Sequence, residues 1–155
     1  MAVTTLWYPD GNQHYIGRIM DRLYISNIHT ARALAKINPY GIRFVVNATM
    51  WPIDLPAEFQ VIKLDLKDDA AIPKEVLYAT IQWMHEMIKF DPVLVNCWAG
   101  RSRSAAIVVA YLCRCGMNWD EAERLVKDHW VKTNIHPLVA ASVREALGEI
   151  SSSDT

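Results

Sequence analysis

Apolar residues recur along this chain with two different periods. Between Pro73 and Lys89, the positions Val76, Leu77, Thr80, Ile81, Trp83, Met84, Met87 and Ile88 fall at helical spacing. That pattern predicts an amphipathic helix, and Pro73 suits its first turn. Shorter runs carry strand character. Leu23-Tyr24-Ile25 is one. Ile42-Arg43-Phe44-Val45-Val46-Asn47, rich in β-branched and aromatic residues, is another, and Val61 to Leu66 alternates apolar with polar. Val93-Leu94-Val95 has no polar side. It reads as a strand buried on both faces, near the middle of a sheet.

Helices fill the intervals. His29 to Ile37 reads as one, closed by Asn38-Pro39-Tyr40-Gly41. Another follows residue 104 and runs through Cys113 to a stop at Gly116. Asn118 opens the next, with Glu121 at capping-box offset, and Pro137 opens a last helix to about Ile150. Residues 1–18 are polar, contain glycine and match no template. Strands alternating with helices predict an α/β fold: a central, mostly parallel sheet of four to five strands flanked by helices. The domain reading is one catalytic unit over 1–150 and a disordered tail, Ser151 to Thr155.

Composition narrows the class. A chain of 155 residues, 52% hydrophobic and 21% charged, can bury one core without staples. A net charge of −1 supplies no basic excess for nucleic acid or a membrane surface. The longest apolar run, Ala105 to Cys113, is far short of the roughly 20 residues a bilayer requires. Three cysteines, Cys97, Cys113 and Cys115, make a poor disulfide framework. Cys113 and Cys115 lie on different sides of a helix and read as structural, although a disulfide to Cys97 stays open. The expectation is a soluble, cytoplasmic protein and a monomer.

The candidate chemistry sits in Val95-Asn96-Cys97-Trp98-Ala99-Gly100-Arg101-Ser102-Arg103-Ser104. Strand, tight loop and helix start make an anion site. Backbone N–H groups converge there, and the helix adds its own unpaired N–H groups and dipole. Gly100 permits a conformation that a Cβ opposes. Arg103 offers a planar fork to two phosphate oxygens. Free thiols titrate near ~8.5, and cationic or helix-N-terminal settings bring them to roughly 3.5–7.5. Cys97 is therefore the candidate nucleophile, and Ser104 could donate its hydroxyl to the sulfur.

Cys97, Gly100, Arg103 and Ser104 match the signature H-C-x5-R-[ST], and the segment resembles the cysteine-dependent phosphatases, specifically the small dual-specificity type. The flanks resemble that family too: Leu23 to Asn27, Gly41 to Thr49 and Ala105 to Ala122, within a likeness covering roughly 16–149. The resemblance implies a phosphatase fold with a strand–phosphate loop–helix site. It implies a catalytic set of Cys97, Arg103, Ser104 and an upstream aspartate, with Trp98, Ala99, Gly100, Arg101, Ser102 and Arg103 around the phosphate. It implies no cofactor or metal. The aspartate would act as general acid from a loop ahead of the long helix. Asp65, Asp68 and Asp69 are the candidates. The family order of apolar, any, apolar, any, Asp fits Leu64-Asp65-Leu66-Lys67-Asp68 and favours Asp68. The family has His where this chain has Asn96; an amide can donate a hydrogen bond but carries no charge.

The resemblance points to a phosphorylated protein as substrate, with phosphotyrosine and also phosphoserine and phosphothreonine hydrolysed. Phosphoinositide and RNA 5′-phosphate are alternatives within the same chemistry, although the loop has no lysine of the kind common in lipid enzymes. A weakly active phospho-binding pseudophosphatase is the alternative from another class; Asn96 favours it and Cys97 with Arg103 opposes it. Arsenate reductases and low-molecular-weight phosphatases place the cysteine near the N-terminus, ahead of the acid, the reverse of the order here. Trp98 either packs below the loop or borders the pocket. Asn134-Ile135-His136-Pro137 reads as a structural cap, and Asn47-Ala48-Thr49 as a chance glycosylation match.

Overall fold

A computed structural model describes residues 3–7 and 13–153 of the chain. Six strands among these residues form one sheet in the order β1-β2-β3-β6-β4-β5. They are β1 (Val3–Trp7), β2 (Gln13–Met20), β3 (Leu23–Asn27), β4 (Phe44–Asn47), β5 (Gln60–Lys63) and β6 (Val93–Cys97). The first three pair antiparallel, whereas β3, β6, β4 and β5 run parallel. The parallel sheet expected from the sequence is present. The extra antiparallel hairpin comes from the segment that matched no template.

The apolar run at Val93 enters last and goes to the middle. β6 lies between β3 and β4, and all five of its residues are buried. Alternation along it feeds two cores. Val93, Val95 and Cys97 join Leu23, Ile25, Phe44 and Val46 on one face. Leu94 joins Ile16, Tyr24, Val45 and Ile42 on the other. A parallel strand so enclosed must be apolar on both sides, as the sequence pattern required.

Five helices cover the two faces. α1 (Ile28–Arg32) continues into a 3₁₀ turn, Ala33–Ala35, and contributes Ala31 and Leu34 to the second core. Asn27 caps α1 by accepting the Thr30 N–H at 2.9 Å, so the helix begins one residue earlier than periodicity suggested. On the other face lie α2 (Lys74–Met87), α3 (Arg103–Arg114), α4 (Trp119–His129) and α5 (Pro137–Ser153). Residues Arg103 to Leu112 of α3 are all buried, the burial of a helix packed on every side. Asn118 accepts the Glu121 N–H at 2.9 Å, one half of the capping box.

Other boundaries also differ from expectation. β5 ends at Lys63 rather than Leu66, because the chain turns at Asp65, whose φ is +55°; short acidic and amide side chains tolerate that left-handed region. α5 continues to Ser153, so three residues of the expected tail extend the helix. The remaining two, Asp154 and Thr155, lie outside the described residues.

The N-terminal hairpin has one tight constraint. A Cβ at Gly17 in β2 would stand 2.4 Å from the Trp130 ring. Trp130 is 1% exposed and a rigid bicycle, so neither side can yield cheaply. We predict that Gly17→Ala lowers unfolding stability by about 1–3 kcal/mol, the usual cost of overpacking, in a denaturant titration. An unchanged midpoint would mean that Trp130 can move aside.

Candidate active site

The parallel strands all end at one edge, where open α/β sheets place their ligand crevice. Cys97 closes β6 there, in register with Asn27 of β3, while Asn47 of β4 is in register with Asn96. The chain then turns through Trp98 to Ser102 and enters α3 at Arg103. Gly100 makes the turn at φ +73°. A Cβ there would also meet the Ser26 carbonyl at 3.1 Å.

Neighbours hold this loop at successive points. The Ile28 N–H donates to the Trp98 carbonyl at 3.3 Å, and the Trp130 indole N–H to the Gly100 carbonyl at 2.6 Å. The Asn134 N–H donates to the Arg101 carbonyl at 2.9 Å. The His136 N–H donates to the Ser102 hydroxyl oxygen at 2.9 Å. Among the described residues the N–H groups of Trp98 to Ser102 donate to no backbone carbonyl, as a backbone anion nest requires.

The cleft has a volume of about 390 Å³; Asp68, Asp69, Cys97, Arg101 and Arg103 are among its lining residues. At its floor the Cys97 sulfur lies 3.1 Å from the Ser104 hydroxyl, both buried. Arg103 is 5% exposed. Its Nη1 donates to the Leu66 carbonyl at 2.9 Å and the Ala48 carbonyl at 3.4 Å, which fixes the guanidinium plane. The Nε–Nη2 edge makes no hydrogen bond, and Nε is buried. Asp68 approaches that edge, with its Oδ1 3.8 Å from Nε, while 72% of its side chain stays exposed. A buried guanidinium fork with one edge anchored by carbonyls and the other free of hydrogen bonds fits a tetrahedral oxyanion.

The three aspartates separate. Asp68 and Asp69 line the cleft together. Asp65 does not; its carboxylate pairs with Lys63 at 2.9 Å. Asp69 takes φ +51°, so the chain bends beside Asp68. Trp98, Ala99, Arg101 and Ser102 line the cleft, while Gly100 lies in the loop behind it and spends its carbonyl on Trp130. Trp98 borders the site rather than packing beneath it, at 43% exposure, with its ring edge-on to His29 at a centroid distance of 5.5 Å.

Asn96 belongs to a buried amide network. Its side-chain N–H donates to Asn47 Oδ1 at 3.2 Å, and its carbonyl accepts the Ala48 N–H at 2.8 Å. Asn47 Oδ1 also accepts the Thr49 hydroxyl at 2.7 Å, and Asn47 donates to the Trp51 carbonyl at 2.6 Å. Asn47 is fully buried, so its glycosylation match has no access.

The cap segment contributes more than a cap. Asn134 and His136 both line the cleft. His136 Nδ1 accepts the Leu138 N–H at 3.1 Å, which places the neutral ring's proton on Nε2. A residue at the N-cap of a proline-initiated helix was the only sequence signal for it. The other cysteines are remote. Cys113 and Cys115 lie at the far end of α3, about 15 Å of helix rise from its start, beyond disulfide reach of the loop. Burial pushes the Cys113 thiol up, which keeps it unreactive. Among the described residues no group of three or more His, Cys, Asp or Glu gathers as a metal site.

Comparison with known proteins agrees with this geometry. Residues 23–138 match the family model for the dual specificity phosphatase catalytic domain. The chain is 29% identical over 145 residues to the tyrosine-protein phosphatase yvh1 of Schizosaccharomyces pombe, covering 88% of this chain and 42% of that one. It is 30% identical over 132 residues to mouse dual specificity protein phosphatase 14, covering 76% and 64%. The chain thus spans less than two thirds of either relative's length. A mouse dual specificity phosphatase crystallised with zinc tungstate superposes with a TM-score of 0.81 at 25% identity, covering 90% of each chain. The chain belongs to the dual-specificity phosphatase catalytic-domain family.

The loop geometry gives a direct expectation. Gly100→Ala forces a left-handed φ on a residue with a Cβ, a cost of about 1–2 kcal/mol. Because the strain falls within the nest, it should also weaken inorganic phosphate binding by about tenfold or more, read by calorimetry. Unchanged phosphate affinity would mean that the loop's N–H groups do not bind the anion.

Proposed function

We propose that this chain is a cysteine-dependent protein phosphatase that hydrolyses phosphotyrosine, and also phosphoserine and phosphothreonine, through a cysteinyl-phosphate intermediate. One observation carries the reading: Cys97 and the buried Arg103 line the same cleft, with the Ser104 hydroxyl 3.1 Å from the Cys97 sulfur. The mouse relative was crystallised in complex with zinc tungstate, whose anion is tetrahedral like phosphate.

The proposed reaction has two steps. Arg103 and the loop N–H groups hold the nonbridging phosphate oxygens. The Cys97 thiolate attacks phosphorus, the phosphorus–oxygen bond of the ester breaks, and the leaving oxygen takes a proton from Asp68. Protonation is required because a seryl, threonyl or tyrosyl oxygen leaves poorly as an anion. In the second step Asp68 accepts a proton from water as the water oxygen attacks phosphorus. The sulfur departs as thiolate, stabilised by the Ser104 hydroxyl, which the 3.1 Å contact supports.

The choice of a phosphoprotein rests on the lysine-free loop and on the exposed Trp98, which lines the cleft and has Trp51 at a ring-centroid distance of 6.0 Å. No helix among the described residues is long and apolar enough to cross a membrane. We read the protein as cytoplasmic because all three cysteines are free, as suits a reducing compartment.

Cys97→Ser should lower kcat on an aryl phosphate by at least about 10³-fold while inorganic phosphate still binds. Normal turnover by that variant would sink the mechanism, and a wild-type chain that binds phosphate without turnover would establish the phospho-binding alternative. Asp68→Asn should lower kcat by about 10²-fold and flatten the alkaline limb of its pH profile, with Asp65→Asn near wild type. A large loss in Asp69→Asn with none in Asp68→Asn would move the acid role by one residue.

A further inference from the structure

The segment after β4 is held from the core more firmly than its exposure requires. Asn47, Thr49 and Asn96 are fully buried. Between them they fix both backbone groups of Trp51. Its N–H donates to the Thr49 hydroxyl oxygen at 3.0 Å, and its carbonyl accepts the Asn47 amide at 2.6 Å. Asn47 is tied in turn to Asn96, the neighbour of Cys97. The next residue is also fixed, because Arg32 donates to the Pro52 carbonyl from Nε at 3.3 Å and from Nη2 at 2.9 Å. A buried hydrogen-bonded network of this kind rigidifies the backbone it holds.

The side chain on that rigid backbone faces water. Trp51 is 58% exposed, and Met50 before it is exposed as well. The Trp51 ring stands 6.0 Å from that of Trp98, tilted by 58°. His29 meets Trp98 edge-on, and Trp98 lines the phosphate cleft. Two indoles in contact, both largely exposed, leave apolar area uncovered beside the cleft. Indoles supply contact area at low entropic cost, and a fixed backbone lowers that cost further.

We propose that Trp51 and Trp98 form a docking platform for an aromatic or large aliphatic side chain of the substrate peptide, two residues from the phosphorylated one. The proposal rests on the phosphatase reading for the phosphorylated residue itself. The platform is continuous with the cleft through Trp98, so its natural occupant is attached to the bound phosphate. An extended peptide advances roughly 6.6 Å in two residues and returns its side chain to the same face. That step matches the 6.0 Å between the two rings, whereas a side chain one residue away points to the opposite face. A peptide is favoured over a bilayer by local charge. Between Asn47 and Gln60 the chain has no Lys or Arg, and its two carboxylates, Asp54 and Glu58, are exposed. An anionic leaflet attracts the reverse pattern.

The test compares five phosphotyrosine peptides of one sequence. The reference has alanine on both sides. Two carry Phe two residues before or two residues after the phosphotyrosine. A fourth carries Phe immediately after it, and a fifth carries Glu two residues after it. One of the two peptides with Phe at two-residue spacing should exceed the reference in kcat/KM by about threefold to tenfold, chiefly through KM. The adjacent Phe and the Glu should gain less than about twofold, and the Phe gain should persist at high salt, where a charge effect would fade. Trp51→Ala should bring the ratio of the Phe peptide to the reference near one, and Trp51→Phe should keep most of the gain. Equal kcat/KM for all five peptides, a gain for Glu equal to that for Phe, or a gain that survives Trp51→Ala would each overturn the proposal. Absence of peptide selectivity, together with sedimentation on phosphatidylcholine–phosphatidylserine vesicles that Trp51→Ala abolishes, would overturn it in favour of a lipid surface. Failure of the phosphatase reading looks different, because then no peptide and no aryl phosphate is hydrolysed. In that case calorimetry with the same peptides decides the platform: tighter binding of the Phe peptide, lost in Trp51→Ala, supports it, and equal binding overturns it.

Discussion

The structure depends on one junction, the five residues that join a fully buried strand to a fully buried helix. β6 is enclosed by β3 and β4, and α3 is enclosed on all sides through Leu112. Neither can shift without opening both the sheet and the helical layer. The loop between them therefore has fixed ends, the Cys97 sulfur at one and the Arg103 guanidinium at the other. Guanidinium and sulfur are placed by apolar packing, which resists small displacements because interiors are close-packed.

Fixed ends do not by themselves decide which way the loop's amides point. Distant elements settle that. Trp130, from just beyond α4, takes the Gly100 carbonyl; the segment before α5 takes the Arg101 carbonyl and the Ser102 hydroxyl; Ile28 takes the Trp98 carbonyl. Each outward carbonyl leaves donors for the cleft side. Gly17 matters for the same reason, since the space it leaves is filled by the Trp130 ring. The antiparallel hairpin thus bears on the loop between β6 and α3 through one indole.

Much of this arrangement was legible. Val93 to Val95 shows no polar side, and a strand so written has few places to go but the middle of a parallel sheet. Cysteine, glycine and arginine at loop spacing marked the cradle. What stayed hidden depends on pairs far apart in sequence. Gly17 and Trp130 explain each other only when folded, so β2 reads as a glycine-interrupted polar stretch. Asn47 and Asn96 look like a chance glycosylation match and an odd substitution, yet they hydrogen-bond across adjacent strands at 3.2 Å. The segment from Asp65 to Asp69 was legible only to within its three aspartates, since the turn at Asp65 and the bend at Asp69 are left-handed positions that periodicity does not register. His136 reads as a capping residue, and it reaches the cleft only through the path of the chain back past Ser102.

We propose above all that the Cys97 sulfur itself takes the phosphoryl group. The direct measurement is acid-quenched turnover of an aryl phosphate followed by peptide mass analysis. The expected result is a phosphoryl adduct confined to the peptide containing Cys97, formed within the first turnover and lost as product phosphate appears. Continued turnover with no adduct there, or an adduct on another residue, would contradict it.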